Sequence, residues 1–512
     1  MFCVSANILS GGNIPSENGC LPGCAAECII RATDKAVAAS HMQFFRKKSD
    51  MTASTSAPAA QKQGSMKYVV ILALSAGMAG LLYGYDTVSI SGAIEFLRQA
   101  YDLSSGMQGL VISSIMIGGV IGVGFSGFLA DRIGRRKVLL IGAALFFAAA
   151  LWSAFTYSPG TLIAARIIGG LGIGLASALA ITYITECAPA KYRGTLSSAY
   201  QLLTILGIFL TNVINFWIAG MGDLNWGINA GWRWMLGIGA LPAAIFFIAL
   251  FLSPESPRFL IQSGKEEAGF KLLEKIGGTE EAHRELEEVK ASIERDKNGK
   301  LSDLFRKPLL IPFLIGLLLA TFNQLGGQNA VSYYGPTMFK AALGNDIPNV
   351  EFLCSSLVGL VELLFTFVGM YLIDKAGRKP LLVSSAAGMG VFAAVIAFAF
   401  AANIGWLVIA GACGFIAFFA FGLGPVTWVM IPELFPTYMR GRASGLCTVL
   451  LWGINFCVGQ FTPMMFEGMG GTGTFIFWMV MDFLGAILIF KFAPETKGKT
   501  LEEIQALWTK KN

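Results

Sequence analysis

Charged residues are scarce in this sequence. Lys, Arg, Asp and Glu make up only 14% of the 512 residues, whereas hydrophobic types make up 54%. Because an ordinary soluble domain has about 25% charged residues, this composition excludes a soluble globular protein. The chain is predicted to be a membrane protein that crosses the bilayer many times.

Histidine is rarer still. His41 and His283 are the only two, and neither lies in an apolar run. Histidine therefore cannot transfer a proton or bind a metal ion within the membrane. The apolar runs also lack a nucleophile–base pair or a cluster of metal ligands, so a polytopic membrane enzyme is disfavoured. We expect no enzymatic activity, no cofactor and no metal site.

The hydrophobic residues form twelve runs of about the 20 residues that a helix needs to cross the bilayer. Since lipid offers the backbone no hydrogen bonds, each run is predicted to be a helix. The predicted helices cover 68–93, 108–130, 138–157, 161–184, 197–219, 233–252, 309–331, 353–373, 380–401, 405–430, 443–465 and 473–492. The predicted fold class is an all-α polytopic membrane protein.

Lys and Arg concentrate in every second loop. They follow the even-numbered helices, whereas the opposite loops contain little beyond Arg98 and Lys340. Positive residues are retained on the cytoplasmic side, so both termini are predicted to be cytoplasmic and the location to be the plasma (inner) membrane. This asymmetry explains the net charge of +6 without a nucleic-acid partner.

Three motifs occur twice, which indicates an internal repeat. They are DRIGRR at 131–136 and DKAGRK at 374–379, Glu-x-x-Pro-x-x-x-Arg-Gly at 186–194 and 433–441, and PESPR at 254–258 and PETKG at 494–498. The repeat predicts two parallel six-helix halves around a central cavity.

The repeat also sets the predicted domain boundaries. They are an N-terminal half at 66–253, a cytoplasmic helical linker at 254–307, a C-terminal half at 308–493 and a cytoplasmic tail at 494–512. Residues 1–65 contain four cysteines without apolar periodicity. We interpret them as a disordered extension or an over-extended start, since their spacing is not that of a zinc site.

The repeated motifs place carboxylates and guanidiniums at the membrane ends of the helices. Bridges among them can hold one face of the cavity shut, which predicts a cytoplasmic gate. Positive-inside charge alone is the alternative for any single motif. The gate residues are Asp131, Arg135, Glu186 and Arg193 in the first half, and Asp374, Arg378, Glu433 and Arg440 in the second.

The paired motifs and the tail PETKGKTLEEIQALW resemble the sugar porter family of the major facilitator superfamily, over about 66–508. The proton-coupled pentose and hexose symporters of that family are the most similar members. The resemblance implies transport of a monosaccharide with a proton, by alternating access across the lipid bilayer. Protein partners are not predicted.

The same resemblance implies a sugar site. Amides can donate to and accept from sugar hydroxyls, and an indole can cover the apolar face of a pyranose. A single Gln or Trp in a membrane helix is more often interhelical packing, so the set matters more than any member. The implied residues are Gln201, Asn323, Gln324, Asn329, Trp428 and Trp452, with Tyr83, Glu362 and Gly424.

Three of these positions depart from the commonest family pattern. Asn323 replaces the first residue of a Gln-Gln pair, Tyr83 replaces a Phe, and Glu362 replaces an Asn. Glu362 matters most, because a carboxylate facing lipid is strongly unfavourable. Three interpretations stay open for it: a neutral acid that donates to the sugar, a second proton site, or a structural hydrogen bond.

Glycine and proline are predicted to interrupt two of the helices beside the sugar residues, which allows bending. The seventh helix is interrupted at Gly326, Gly327 and 333–336, and the tenth at Gly424 and Pro425. Close helix packing by glycine is the alternative for Gly326.

Asp86 and Arg166 are predicted to form a buried ion pair. At about 1.5 Å per residue, Asp86 lies about 13 Å and Arg166 about 10 Å from the outer membrane face. Charges at such depth usually pair and face an interior pathway. By resemblance, Asp86 is the proton acceptor and Arg166 its partner. A structural ion pair in a passive uniporter is the alternative, and a sugar sensor that does not transport is a further one.

Overall fold

We describe the protein from a computed structural model that covers residues 64–189, 192–296, 301–344, 348–499 and 503–504. Apart from Gly64 and Ser65, the predicted N-terminal extension lies outside the described residues. Helices account for nearly all of the described part, so the predicted all-α class is confirmed.

Six spans form the first half. They are α1 (Met66–Tyr101), α2 (Ser105–Ile133), α3 (Arg135–Ala154), α4 (Pro159–Glu186), α5 (Arg193–Ala219) and α6 (Leu224–Leu252). Serine hydroxyls accept from the first-turn amides of three helices, because those amides lack a partner within the helix. The capping residues are Ser65 of α1, Ser104 of α2 and Ser158 of α4.

Three short helices follow the first half: α7 (Pro257–Gln262), α8 (Glu266–Gly277) and α9 (Thr279–Asp296). Apolar side chains on one face of α8 and α9 meet in a small core that includes Leu273, Ala282 and Leu286. A salt bridge of 2.7 Å between Lys290 and Glu266 also joins them. We call the end of the bundle where these helices lie the linker end.

The second half repeats the first with more breaks. Its helices are α10 (Leu310–Leu325), α11 (Gln328–Leu343), α12 (Val350–Ala376), α13 (Arg378–Ala401), α14 (Gly405–Phe421), α15 (Leu423–Glu433) and α16 (Thr437–Phe492). Helices α10 and α11 together form one span, as do helices α14 and α15.

The last helix, α16, contains two membrane crossings. Its 56 residues reach about 80 Å at 1.5 Å per residue, more than twice the hydrocarbon thickness. Gly470 interrupts it with a φ of 66°. Eleven described helical spans are long and apolar enough to cross a membrane, and the two arms of α16, 437–469 and 471–492, bring the crossings to twelve.

Both spans are interrupted as predicted, and the break at Gly326–Gly327 is confirmed, but the predictions at 333–336 and at Gly424–Pro425 are wrong. The seventh span breaks only at Gly326–Gly327, and α11 continues through 333–336 with Pro336 inside the helix. The tenth span breaks at Gly422, whose φ and ψ are −126° and −90°. Gly424 and Pro425 therefore lie in the first turn of α15, where proline needs no backbone donor.

The two halves contact each other at the end opposite the linker. These contacts are Gln460–Ser113 at 3.2 Å, Gln460–Gly106 at 2.9 Å, Asn349–Ala219 at 3.4 Å and the stacked rings of Phe96 and Phe352. The contacting residues lie at the ends of their helices or near them. The central cavity is therefore closed on this side by direct contact between the halves.

Candidate functional site

Asp86 and Arg166 form a bidentate ion pair between α1 and α4. The Nη1 and Nη2 atoms of Arg166 donate to the two carboxylate oxygens of Asp86 at 3.4 and 3.2 Å. Nη2 also donates to the Ile112 carbonyl of α2 at 3.3 Å. The side chain of Arg166 is 3% exposed and that of Asp86 is 13% exposed. Each charge therefore neutralises the other in a place where an isolated charge would be costly.

Close packing of α2 on α4 brings the guanidinium of Arg166 to the carbonyl of Ile112. A Cβ on Gly170 would lie 1.9 Å from the Ile115 carbonyl, and one on Gly118 would lie 1.9 Å from the Ile167 carbonyl. Only glycine lets the two backbones approach so closely. Arg166 is thereby held at the centre of the first half.

The ion pair lies in the wall of a cavity between the two halves. The lining residues are Tyr83, Asp86, Thr87, Ile115, Met116, Arg166, Ile173, Tyr333 and Trp452. Trp452 comes from the second half, and its ring packs on Tyr83 with 5.4 Å between centroids. The structure therefore brings together four of the predicted site residues, Tyr83, Asp86, Arg166 and Trp452.

Tyr333 and Asn455 were not among the predicted site residues. The Tyr333 hydroxyl and the Asn455 amide are joined by hydrogen bonds of 3.1 to 3.2 Å, in buried positions. Asn455 stands three residues after Trp452, so helical spacing places both on one face of α16. That spacing was the available signal.

Three predicted amides form a chain of hydrogen bonds. Asn329 donates to Gln324, and Gln324 donates to Asn323 at 2.7 Å. Asn323 then donates to the Leu423 carbonyl at 2.8 Å. The chain therefore connects the break between α10 and α11 with the break between α14 and α15. The two breaks are therefore joined by side-chain hydrogen bonds.

The remaining predicted sugar residues lie outside the wall of that cavity. Gln201 is half-buried on α5, and Trp428 on α15 is 37% exposed. Gly424 is buried in the first turn of α15. Glu362 on α12 is buried, with 2% of its surface exposed.

The first copy of the repeated motifs forms a charged network at the linker end. Arg135 contacts Asp131 and Glu186, each at 3.2 Å. Ser256 donates to Glu186, and Glu255 accepts from the Arg136 amide at 2.9 Å. The carboxylate of Glu255 thus caps the N-terminus of α3, whose capping residue is a glycine without a side chain.

The second copy repeats this network. Arg378 contacts Glu433 at 3.4 Å, and Thr496 donates to Glu433 at 2.6 Å. Glu495 accepts from the amides of Arg378 and Lys379, both at 3.1 Å, at the N-terminus of α13. Burial opposes ionisation of Glu495, but these amides hold its pKa below the usual range.

The other predicted gate residues differ between the copies. Arg193 contacts Glu285 of α9 at 3.2 Å, so it ties α5 to the linker. Burial raises the pKa of Glu285, although Arg193 partly offsets this. In Arg440, Nε and Nη2 make no hydrogen bond with described residues. The side chain of Asp374 lies outside the described part of the chain.

Twelve crossings in two halves, a cavity between the halves with a buried ion pair in its wall, and repeated networks at one end define a secondary transporter of the major facilitator fold. The chain belongs to the family described as "Sugar (and other) transporter", whose family model matches residues 72–508. The predicted family is therefore confirmed.

Characterised relatives cover most of the chain. It is 49% identical over 449 residues to the arabinose-proton symporter of Bacillus subtilis, covering 87% of this chain and 96% of the relative. It is 36% identical over 483 residues to the D-xylose-proton symporter of Escherichia coli, covering 87% and 97%. A partially occluded inward-open structure of the E. coli xylose transporter XylE matches with a TM-score of 0.77 and 33% identity, over 85% of this chain and all of that one.

Proposed function

We propose that this protein imports a monosaccharide together with a proton, and that pentoses such as L-arabinose and D-xylose are its preferred class of sugar. The observation that supports this most is that the Asp86–Arg166 pair and Trp452 line one cavity. A proton site and a sugar site that share a cavity can influence each other directly. The similarity to arabinose and xylose symporters supports the choice of sugar.

The linker end faces the cytoplasm in this proposal, because Lys and Arg concentrate there. The halves touch at the opposite end, through Gln460 and Asn349 among others. Trp428 is meanwhile 37% exposed. The described conformation is then inward-facing, with the cavity closed to the outside of the cell and both termini in the cytoplasm of the inner membrane.

Asp86 acts as the proton acceptor. When ionised, it is neutralised by the guanidinium of Arg166, and when protonated it no longer needs that partner. Proton binding therefore releases Arg166 from one of its two contacts and weakens the link between α1 and α4. Because α1 also contributes Tyr83 to the cavity, this change reaches the sugar directly.

The sugar is bound by amides and indoles. Asn323, Gln324 and Asn329 already satisfy one another, so a sugar hydroxyl can replace one of these bonds without leaving a buried amide unpaired. Trp452 supplies an apolar face next to Tyr83. Substrate binding then rearranges the amide chain, which links the breaks of the seventh and tenth spans.

Glu362 acts in this scheme as a neutral acid that donates a hydrogen bond to the sugar. It is 2% exposed, and its side chain forms no salt bridge among the described residues. A charge there would lack a cation, whereas a protonated carboxyl can donate much as an amide does.

The charged networks at the linker end act as a gate. Their two copies join helices within each half, through Arg135 and Glu186 in one and Arg378 and Glu433 in the other. When the halves approach at this end, such networks can hold them together, and they separate again as the cavity opens to the cytoplasm.

Purified protein in liposomes tests the proposal. Labelled L-arabinose, D-xylose and D-glucose are supplied separately in counterflow, and the pH of a weakly buffered medium is followed after sugar addition. We expect counterflow with the pentoses and alkalinisation of the medium. Counterflow without any pH change would favour the passive uniporter, and the absence of counterflow with all three sugars would contradict transport of this class.

A further inference from the structure

Asp482 is a buried carboxyl group to which the proposed function gives no role. It lies on the second arm of α16 and is 2% exposed. Both of its carboxylate oxygens are buried without a hydrogen-bond partner in the described ranges. The Nε1 of Trp478, four residues earlier, is in the same situation. Residues four apart share a helix face, so this arm presents two unsatisfied polar groups side by side.

This face packs on the break between α10 and α11. A Cβ added to Gly326 would lie 2.7 Å from Oδ1 of Asp482, and one added to Gly327 would lie 2.5 Å from Cδ2 of Trp478. Gly327 has a φ of 83°, which few other residues adopt without strain. Asp482 and Trp478 therefore contact the backbone at the point where the seventh span bends.

The break also lies between two predicted sugar-binding amides. Gln324 precedes it and Asn329 follows it, and a hydrogen bond between their side chains crosses it. The amides of Gly326 and Gly327 donate within the break at 3.3 and 3.2 Å, longer than the usual 2.9 to 3.0 Å. A small change in bend can therefore free backbone groups and shift the sugar-binding amides together.

Among the described residues, no positively charged side chain forms an ion pair or hydrogen bond with Asp482. Glycine contacts show that α10, α11 and α13 pack against this arm. Lys340 lies about 20 Å along α11 from Gly327, and Arg378 and Lys379 lie about 15 to 17 Å along α13 from Met389, which packs on Gly326. Lys491, on the arm itself, lies about 14 Å along the helix from Asp482. The tyrosines of the three packing helices are Tyr333 and Tyr334, whose hydroxyls bond Asn455 and the Gly459 carbonyl. An ionised carboxylate here would have no neighbouring positive charge or hydrogen-bond donor to stabilise it, so its burial would be very costly.

We propose that Asp482 is a second proton-binding residue, which is protonated in this conformation and which, with Trp478, controls bending at Gly326–Gly327. Loss of the proton leaves a charge that requires donors or water. Backbone amides freed by a larger bend supply such donors, and Trp478 can donate to the carboxylate as well. Deprotonation therefore favours a more bent seventh span. This inference rests on the proposed sugar–proton transport for its consequences, but the local bending does not depend on which sugar is carried.

A proton is favoured over a metal cation at this position. Among the described residues, no group of three or more His, Cys, Asp or Glu side chains is placed to hold a metal ion. The indole Nε1 of Trp478, one helical turn away on the same face, is a donor, and donors do not bind cations. Sodium is nevertheless an outcome that the experiment must separate.

Hydrogen exchange followed by mass spectrometry tests the bending directly. Full-length protein in lipid nanodiscs is compared from pH 5.5 to 8.5, with exchange times corrected for the intrinsic effect of pH. We expect peptides spanning the break to lose protection as pH rises in the wild type, by about tenfold per pH unit at most for one proton. Asp482→Asn fixes a neutral side chain of similar shape and should keep these peptides protected at every pH.

Two further variants and a matched control complete the experiment. Trp478→Phe keeps a ring but removes the indole donor that would stabilise the ionised carboxylate, so protection should fall at higher pH than in the wild type and should still depend on pH. Glu467→Gln removes an exposed carboxylate of the same helix and should leave the profile unchanged. Sugar counterflow is measured in an Asp86→Asn background with and without Asp482→Asn. Its pH dependence should be weaker when both changes are present.

Identical pH profiles of the break in the wild type and Asp482→Asn would overturn the proposal. So would a shift in protection caused by sodium at constant pH, since the bound cation would then be a metal. Failure of sugar counterflow in the wild type would contradict the proposed function alone, because the exchange experiment needs no sugar.

Discussion

Replacement of Asp86 by Asn should abolish concentrative sugar transport and preserve exchange. One coupled proton supports about tenfold accumulation at a pH difference of one unit, since that difference is worth about 1.4 kcal/mol. Asn cannot release or bind the proton, so accumulation should fall to about onefold. The proposed sugar contacts of Trp452 and Gln324 are unchanged, and counterflow should therefore continue.

The same change should also lower stability. Arg166 is 3% exposed and loses its only carboxylate partner among the described residues. Leaving one member of a buried ion pair unpaired typically costs about 3–5 kcal/mol. The Asn carbonyl still accepts one hydrogen bond, so we expect a loss near the lower end of that range. Thermal unfolding in detergent measures it.

A double variant separates coupling from stability. Asp86→Asn combined with Arg166→Gln removes the unpaired charge and should recover much of the lost thermal stability, while accumulation stays near onefold. Proteoliposome uptake with a pH gradient provides the readout for all three proteins. If Asp86→Asn still concentrates sugar about tenfold, Asp86 is not the coupling residue.

Substitutions at four other residues give distinct signatures. Glu362→Gln should transport near normally with a flatter pH dependence of uptake between about pH 5 and 8, whereas Glu362→Ala should lose affinity; loss of coupling with retained exchange in Glu362→Gln would instead make Glu362 a proton site. Trp428→Ala and Gln324→Ala should both weaken sugar binding in calorimetry, the latter by about 0.5–1.5 kcal/mol for each hydrogen bond lost, and unchanged binding in both would remove them from the site. The pKa of Glu495 is lowered in the folded protein, so its contribution to stability is present above the ordinary pKa of 4.5 and is lost as the pH falls below that value. Glu495→Gln should therefore reduce the loss of thermal stability on acidification. A variant that loses stability with pH as the wild type does would contradict this.

Each predicted segment lies within an observed span apart from residues 155–157 and 309, although the seventh and tenth segments each cover two helices. The reason is that hydrophobic length alone decides whether a segment crosses the bilayer. The seventh span was predicted to end at 331, yet α11 continues to Leu343. Its outer part contains Tyr333, Tyr334 and Pro336, which lower the apparent hydropathy although the helix buries them between neighbours.

Some contacts of the candidate site could be predicted from the sequence, and others could not. Asp86 and Arg166 could be paired from the sequence, because the rise per residue places both at one depth and burial requires a partner. The partner of Arg193 could not be predicted, because Glu285 contacts Arg193 only through the packing of α9 against the first half. Tyr333 and Asn455 are 122 residues apart, and helix rotation alone decides that they meet.

The membrane class, the number of crossings, the twofold repeat and the family could all be predicted, since these depend on composition, segment length and recurring motifs. The positions of the helix breaks and the partners of the polar groups became known from the three-dimensional packing. The amide chain from Asn329 to the Leu423 carbonyl and the isolation of Asp482 are examples. Such features depend on the rotation and close approach of helices distant in sequence, and the pattern of a single helix does not contain that information.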